Sequence, residues 1–132
     1  MVLNLDLAPT FLTYGNAKIP EQMQGISFRN LFTKDNLRWR DAVYYHYYDY
    51  PGPQMVKRHF GVRTHRYKLI HFYYDIDEWE LYDLQNDPDE MNSVYNHPEY
   101  KEIQRDLHMK LNELRKIYGD SKELAIKQLP NE

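Results

Sequence analysis

The sequence predicts an α+β fold in which a four-stranded antiparallel sheet is packed by a long C-terminal helix. Short runs of β-branched and aromatic residues lie between residues 42 and 83, and short turns separate them, which is typical of an antiparallel meander. Segment 98–118 then carries apolar residues at spacings of 4, 4, 3 and 4, which form one stripe along a helix. A chain of 132 residues can form one core but not two full domains.

The sheet is expected to span residues 42–83. Its first strand must stop before Pro51 and Pro53, because proline lacks the backbone N–H donor that a central strand needs. A tight turn at His65 and Arg66 joins the second and third strands into a hairpin. The predicted strands are Val43–Tyr48, His59–Thr64, Tyr67–Tyr74 and Trp79–Asp83.

Two helices are predicted after the sheet. Asp87, Pro88 and Glu90 have the spacing of a capping box with proline at the first helical position, which predicts a helix over 88–94. The second helix is predicted over 98–118, and Gly119 ends it.

The remaining residues suggest how the chain is organised. Residues 1–40 contain a short helix over 3–14 and a connector without an extensive core, so we expect them to be the end of something larger. Residues 41–119 form the subdomain with the sheet and helices, and residues 120–132 are expected to be a loosely ordered tail.

Composition and charge exclude several classes of protein. The 17 basic and 20 acidic residues give a net charge of −3, which argues against a general nucleic-acid binder. The absence of cysteine excludes disulfides, thiolate metal sites and a cysteine nucleophile within this sequence. No apolar run approaches the ~20 residues of a membrane span. We expect no signal peptide in this sequence, and the spacing of its histidines does not predict a metal site.

The strongest candidate for ligand binding is the triplet Lys57, Arg58 and His59. It follows the Pro-Gly-Pro turn at a junction between loop and strand, where cationic or proton-donating side chains can bind a sulfate, phosphate or carboxylate. The other charges have a structural explanation, because a basic segment is followed by an acidic one along neighbouring strands. Arg63 and Arg66 are therefore expected to pair with the acidic strand.

The tyrosines allow two interpretations. Nine of the 13 lie between residues 44 and 82, which favours a structural aromatic sheet. The alternative is a free-standing glycan-binding or protein-interaction module that uses this tyrosine-rich sheet. A third alternative, nucleic-acid binding through the basic hairpin, is disfavoured by the net charge and by the neighbouring acidic strand.

Three motifs resemble the C-terminal end of type I, formylglycine-dependent sulfatases. They are NLDLAPTFL over residues 4–12, KRHFGVRT with RYKLI over 57–70, and ELYDL with DPDEMN over 80–92. They occur in the order of the family and together cover most of residues 3–95. The resemblance is closest to the bacterial group that includes N-acetylglucosamine-6-sulfatase-like enzymes of gut and marine Bacteroidetes.

The resemblance implies an alkaline-phosphatase-like sulfatase fold. A large α/β domain holds the active site in that family, and the sheet and helix predicted above correspond to its C-terminal subdomain. Residues 1–40 would then be the end of the catalytic domain and a connector. The parent enzyme is expected to hydrolyse sulfate esters of carbohydrates, such as sulfated N-acetylglucosamine or related glycosaminoglycan and mucin glycans, in the periplasm or outside the cell.

The catalytic groups of the family are not expected in this chain. The resemblance implies that the parent enzyme uses calcium and a formylglycine made from Cys or Ser in a C/S-x-P-x-R signature. Neither Ser27 nor Ser93 nor Ser121 begins that signature, so no catalytic or metal-ligating residue is assigned and the chain alone is expected to be inactive. Its expected partners are the N-terminal catalytic domain and the sulfated carbohydrate. Without that domain, we expect self-association through the exposed domain interface.

The resemblance also implies a narrower role in substrate binding. It places the KRHFGVRT segment at the rim of the substrate pocket, with His59 as the first candidate and Arg58 and Lys57 behind it. His59 would act as a donor to a sugar hydroxyl or carbonyl, in binding rather than in chemistry. The alternative is a strand-end histidine that is only packed against neighbouring tyrosines.

Overall fold

The computed structural model describes residues 1–127 and residue 129. The chain divides into two compact units, Met1–Asp41 and Ala42–Glu132, one residue away from the predicted boundary. No helix in the described part of the chain is long and apolar enough to cross a lipid bilayer.

The first unit is organised around the buried carboxylate of Asp6. A 3-10 turn, Asn4–Asp6, leads into helix α1, Leu7–Tyr14. Asp6 accepts hydrogen bonds of 2.8 Å from the backbone N–H groups of Leu3 and Ile26, and of 2.7 and 2.9 Å from the two Nη atoms of Arg40. Burial opposes ionisation, but Arg40 and the two backbone donors prevail and lower the pKa of Asp6 to about 2. A second 3-10 turn covers Arg29–Phe32.

The second unit contains one antiparallel sheet in the order β1-β2-β3-β4. Each strand pairs with the strand that follows it in sequence, so the predicted meander is confirmed. The strands are β1, Ala42–Tyr47, β2, His59–Thr64, β3, Tyr67–Phe72, and β4, Glu78–Asp83.

Helix α2, Lys101–Ile117, packs on one face of this sheet and forms the core with it. Leu107 and Leu111 are the buried residues of its apolar stripe. They belong to one cluster with Val62 on β2, Leu69 on β3 and Leu81 on β4. Each such side chain contributes about 1.5–3 kcal/mol when it is removed from water. The predicted long helix packed on a four-stranded sheet is therefore confirmed.

The end of α2 has the hydrogen bonds of a Schellman motif. Gly119 adopts a φ of 68°, and its N–H donates to the carbonyl of Lys116 at 3.3 Å. The N–H of Asp120 donates to the carbonyl of Arg115 at 2.9 Å. The left-handed conformation explains why glycine stands where the helix was predicted to end.

Directly after this motif, Asp120 enters a buried polar cluster on β1. Its carboxylate accepts hydrogen bonds from the Tyr44 hydroxyl at 2.5 Å and from Arg115 Nε at 2.8 Å. His46 Nδ1 lies 3.4 Å from the other carboxylate oxygen, and His46 Nε2 lies 2.7 Å from the Tyr73 hydroxyl. Burial lowers the pKa of His46, so the ring is held in its neutral form.

The loosely ordered tail predicted over 120–132 is wrong for its first part. Asp120 is held in the cluster just described, and Lys122–Lys127 form a short helix, α3, in which Ala125 is buried. The sequence signal for this helix was weak because it has only six residues. The rest of the predicted tail, residue 128 and residues 130–132, lies outside the described residues.

The helix predicted over 88–94 is also wrong. Asp87 accepts a hydrogen bond from the N–H of Asn92 at 2.8 Å, and Glu90 adopts a φ of 54°, so the segment turns instead of winding into a helix. The chain then runs along the open edge of β4, where Val94 N–H donates to the carbonyl of Leu81 at 2.8 Å. The free edge of the sheet competes for the backbone groups that a helix would need. The predicted helix over 98–118 is present as a 3-10 turn, Pro98–Tyr100, followed by α2.

Candidate functional site

His59 lies at the start of β2 among aromatic rings from both neighbouring strands. Its register partners are Tyr47 on β1 and Phe72 on β3. The imidazole stacks on Tyr47 with ring centroids 5.5 Å apart and lies 5.3 Å from the ring of Phe72. Tyr45 meets it edge-on at 5.8 Å. His59 therefore packs against two tyrosines, and its side chain is half-buried.

The hydrogen bond at Nδ1 decides what His59 can offer to a ligand. Nδ1 lies 2.8 Å from the carbonyl oxygen of Lys57, and a carbonyl can only accept. Nδ1 therefore carries the proton, and Nε2 of the neutral ring presents a lone pair. No described residue bonds to Nε2. The neutral side chain is an acceptor at this atom, whereas the sequence analysis expected a donor.

Arg58 points into the protein and is only 3% exposed. Its Nη1 atom contacts the Asp75 carboxylate at 2.8 Å, and its Nε atom donates to the carbonyl of Tyr48 at 3.1 Å. Nη2 donates to the carbonyl of Tyr50. The rings of Tyr50 and Tyr74 each lie within 5.7 Å of the guanidinium carbon. The charge of Arg58 is therefore balanced inside the fold, which distinguishes it from its two neighbours in the triplet.

Lys57 is partly exposed and follows a surface loop that joins β1 to β2. The tip of this loop, residues 53–56, is exposed, and Gln54 accepts a 3.4 Å hydrogen bond from the Tyr47 hydroxyl. Lys57 and His59 therefore both lie at the start of β2, are both partly exposed, and have the loop beside them. Of the three predicted residues, Arg58 alone is buried.

Three residues of the site were not singled out from the sequence. Tyr47 and Phe72 flank His59, and Asp75 holds Arg58. The tyrosine density signalled an aromatic surface, but register across two strands is needed to place these rings around one histidine. Asp75 belongs to the acidic run after β3, which lacks the glycine and the distal glutamate of an EF-hand calcium loop.

Gly61 leaves space for the tyrosine that supports this aromatic cluster. A Cβ atom at Gly61 would lie 2.5 Å from the Tyr45 hydroxyl and 2.5 Å from the carbonyl oxygen of Leu69. The ring of Tyr45 therefore lies across Gly61, where no other residue type fits without a shift. Burial raises the pKa of Tyr45, so its hydroxyl stays protonated.

The other charged residues singled out earlier are structural or exposed. Arg66 donates from Nε and Nη2 to Asp83 on β4 at 2.9 and 2.8 Å, which confirms its predicted pairing with the acidic strand. The hydrogen bonds from Arg66 lower the pKa of Asp83. Arg63 is exposed on β2.

A cavity of about 360 Å³ lies elsewhere in this unit, on the side of the sheet that carries α2 and α3. Phe60, Tyr73, Arg115 and Ile126 are among its lining residues. None of Lys57, Arg58 and His59 lines it, so this cavity is separate from the predicted site.

The described residues do not form a metal site. Within residues 1–127 and 129, no group of three or more His, Cys, Asp or Glu side chains could hold a metal ion. The calcium ion that the resemblance implies for the parent enzyme therefore does not fit these residues, and the sequence has no C/S-x-P-x-R signature from which a formylglycine could form.

Comparison with known proteins identifies the family. Residues 1–117 match the family described as N-sulphoglucosamine sulphohydrolase, C-terminal. The chain belongs to this family. It is 46% identical over 122 residues to an N-acetylglucosamine-6-O-sulfatase of Bacteroides thetaiotaomicron, which covers 90% of this chain and 22% of that protein. It is also 32% identical over 103 residues to an arylsulfatase of Clostridium perfringens, covering 74% of this chain and 19% of that protein.

The solved structures agree with this assignment. One of them, a complex with its substrate D-glucosamine-2-N,6-O-disulfate, superimposes with a TM-score of 0.81 at 46% sequence identity. It covers 89% of this chain, and this chain covers 24% of it. The predicted resemblance is therefore confirmed, and the similar structures are sulfatases of the alkaline-phosphatase-like fold. The chain spans about a fifth to a quarter of the length of these relatives.

Proposed function

We propose that this chain is the C-terminal subdomain of a carbohydrate sulfatase that acts on sulfated glucosamine. The observation that carries this proposal is 46% identity over 90% of the chain to an N-acetylglucosamine-6-O-sulfatase. The similar structure with D-glucosamine-2-N,6-O-disulfate as its substrate supports the same class of sugar. The free-standing module with a tyrosine-rich binding sheet is not favoured, because the whole of the sheet falls within the matched family region.

In this proposal the chemistry takes place outside the present residues. The relatives extend far beyond the matched region, and the catalytic domain of the parent enzyme would supply the formylglycine and the calcium ligands. The subdomain completes the fold and contributes to the rim of the substrate pocket. The parent enzyme would act in the periplasm or outside the cell, where large sulfated glycans are encountered.

Helix α1 supports the assignment of residues 1–40 to the end of the catalytic domain. Leu7, Phe11 and Tyr14 are exposed at spacings that place them on one face, and Phe11 is 68% exposed. Pro9 lies on the opposite face and is buried, and Thr10, which lies beside the exposed face, is buried too. An apolar helix face of this kind is expected to pack on the catalytic domain. In the isolated chain it is expected to drive self-association.

His59 is the residue that we assign to substrate binding, with Lys57 beside it. Nε2 of the neutral ring would accept a hydrogen bond from a sugar hydroxyl, and the ring of Tyr47 offers a surface for the sugar. The ammonium of Lys57 would attract the sulfate as a point charge. Arg58 would contribute indirectly, because its guanidinium is already balanced by Asp75.

The proposed activity is tested by sulfate release from the intact enzyme that contains this chain. N-acetylglucosamine 6-sulfate is the first substrate to assay, with galactose 6-sulfate and an aryl sulfate as comparisons. We expect kcat/KM to be highest for the glucosamine sulfate. Equal or higher values for both comparison substrates would contradict the proposed substrate class.

The role of His59 is tested by His59→Ala in the same intact enzyme. Loss of one hydrogen bond to a sugar hydroxyl is expected to raise KM about five- to tenfold, with a smaller change in kcat. Arg63→Ala is the matched control, because Arg63 is exposed on the same strand. Unchanged kinetics for His59→Ala would remove His59 from the binding site and leave the substrate class untouched.

A further inference from the structure

The peptide group between Lys57 and Arg58 makes a hydrogen bond on each side. Its carbonyl oxygen accepts from Nδ1 of His59 at 2.8 Å. Its N–H, which belongs to Arg58, donates to Oδ2 of Asp75 at 3.3 Å. Because a peptide group is planar and trans, the direction of its N–H fixes the direction of its carbonyl. The hydrogen bond to Asp75 therefore fixes the Arg58 N–H and, with it, the position of the Lys57 carbonyl oxygen that accepts from His59.

The side chain of Arg58 strengthens the same restraint. Oδ1 of Asp75 takes the Nη1 hydrogen bond of Arg58 at 2.8 Å, so the two carboxylate oxygens hold the backbone and the side chain of one residue. The Arg58 carbonyl accepts in turn from the N–H of Tyr73 at 3.1 Å, which continues the β2–β3 pairing beyond the end of the strands. Arg58 is thus held at its N–H, its carbonyl and its guanidinium.

These restraints also determine the tautomer of His59. With the Lys57 carbonyl fixed beside Nδ1, the proton of the neutral ring stays on Nδ1. The same contact fixes the rotation of the ring between Tyr47 and Phe72. If the peptide group were free to rotate, both the tautomer and the ring orientation would lose this restraint.

We propose that Asp75 is the positioning residue of His59: through the peptide group between Lys57 and Arg58 it presents Nε2 of His59 to the substrate as a hydrogen-bond acceptor. This inference rests on the proposed function, because it gives His59 a ligand. It assigns Arg58 to the same restraint and not to direct binding of the sulfate group. Asp75 itself lies in the turn after β3 and touches no substrate in this account.

The decisive variant is Asp75→Asn in the intact sulfatase, assayed with N-acetylglucosamine 6-sulfate. An amide offers one acceptor oxygen in place of two and carries no charge for Arg58, so the restraint on the peptide is weakened. We expect KM to rise about five- to tenfold while kcat changes less than twofold. Asp77→Asn is the matched control, because Asp77 lies in the same turn, is 87% exposed at its side chain and bonds to His71 instead.

A double variant separates positioning from an independent effect. If Asp75 acts through His59, Asp75→Asn combined with His59→Ala will have the KM of His59→Ala alone. Multiplication of the two single effects would overturn the proposal, and so would an unchanged KM for Asp75→Asn when His59→Ala raises it. If Asp75→Asn melts below the assay temperature, Asp75→Glu keeps the charge but displaces both oxygens, and the same comparisons apply.

The histidine ring gives a readout that does not depend on sulfatase activity. In nitrogen-15 NMR spectra of the 132-residue chain, neutral His59 is expected to have a protonated Nδ1 and an unprotonated Nε2. Asp75→Asn is expected to shift this pattern towards a mixture of tautomers, and Asp77→Asn is not. A wild-type ring protonated at Nε2, or a pattern unchanged by Asp75→Asn, would overturn the proposal even if the intact enzyme proved inactive on glucosamine sulfates.

Discussion

The buried cluster around Asp120 allows a quantitative prediction for the substitution Asp120→Asn. The carboxylate is 5% exposed and holds the Tyr44 hydroxyl and Arg115, whose side chain is 15% exposed. Both of these hydrogen bonds end on Oδ2, so the asparagine oxygen can still accept them, but the amide carries no negative charge to balance Arg115. Arg115 then remains nearly buried without a counter-charge.

The expected cost follows from these contacts. A hydrogen bond to a charged group contributes about 1.5–3 kcal/mol, and both hydrogen bonds are weakened when a neutral amide oxygen replaces the carboxylate oxygen. Loss of the counter-charge of a buried pair costs about 3–5 kcal/mol, which the residual exposure of Arg115 reduces. We therefore expect a loss of about 3 kcal/mol in the free energy of unfolding. In a unit of this size that corresponds to a fall in Tm of about 10–20 °C.

The effect of pH provides a second check on the same residue. Burial opposes ionisation of Asp120, but the hydrogen bonds from Tyr44 and Arg115 outweigh it and lower the pKa below 3.8. A depressed pKa in the folded state gives stability that is fully present above pH 3.8 and is lost as pH falls through the lower, folded-state value. The difference in Tm between wild type and Asp120→Asn should accordingly be largest near pH 7 and narrow below pH 3.8.

The assay is thermal and urea unfolding of the 132-residue chain, followed by far-UV circular dichroism. Asp106→Asn is the control, because Asp106 is 60% exposed at its side chain and pairs with the neighbouring Arg105. We expect it to change the free energy of unfolding by less than about 0.5 kcal/mol. An equal effect of the two variants, or a Tm difference that does not depend on pH, would refute the assignment of stability to this cluster.

Three further predictions concern packing and association. Gly61→Ala should cost at least about 2 kcal/mol in urea unfolding, because its Cβ would lie 2.5 Å from the Leu69 carbonyl oxygen, and a cost below 0.5 kcal/mol would contradict that geometry. Leu111→Ala should cost about 2–5 kcal/mol because Leu111 is 1% exposed in the core, and a cost near that of a surface substitution would argue against this packing. The chain should self-associate in sedimentation at high concentration and Phe11→Glu should weaken that association, whereas a strictly monomeric wild type would refute the role of the α1 face.

The sheet was predictable because its signals are local and agree with one another. The alternation of side chains, the Pro-Gly-Pro stop and the His65-Arg66 turn each specify the same meander, and β2 has the predicted bounds. β3 ends at Phe72, two residues before the prediction, because Tyr74 adopts a φ of 66°. A left-handed tyrosine has no sequence signature, because this conformation is sterically disfavoured for every residue with a side chain of this kind.

The errors have a common physical cause. The capping pattern at Asp87 was real as a local signal, but the free edge of β4 offered the following residues another set of hydrogen bonds. The prediction placed Asp120 and α3 in a loose tail. The polar side chains that contact Asp120, those of Tyr44 and His46, lie more than 70 residues earlier in the chain. Contacts of this range cannot be deduced from spacing along one segment.

The candidate site was predictable in part. The motif around His59 specified the histidine and the loop before it, but it grouped Arg58 with them because all three residues can bind an anion. Strand alternation separates the three, and only the structure reveals that Asp75 is available to balance Arg58. The sequence of a segment thus predicts a ligand-binding region, whereas the contacts decide which of its side chains are already paired within the fold.

The central claim is that this chain completes a glucosamine sulfatase whose catalytic groups lie elsewhere. The most direct test measures sulfate release from N-acetylglucosamine 6-sulfate by the intact enzyme and by the 132-residue chain, side by side at equal concentration. We predict that the intact enzyme releases sulfate and the chain alone does not. Sulfate release by the chain alone, or an intact enzyme that is inactive on every glucosamine sulfate, would contradict the claim.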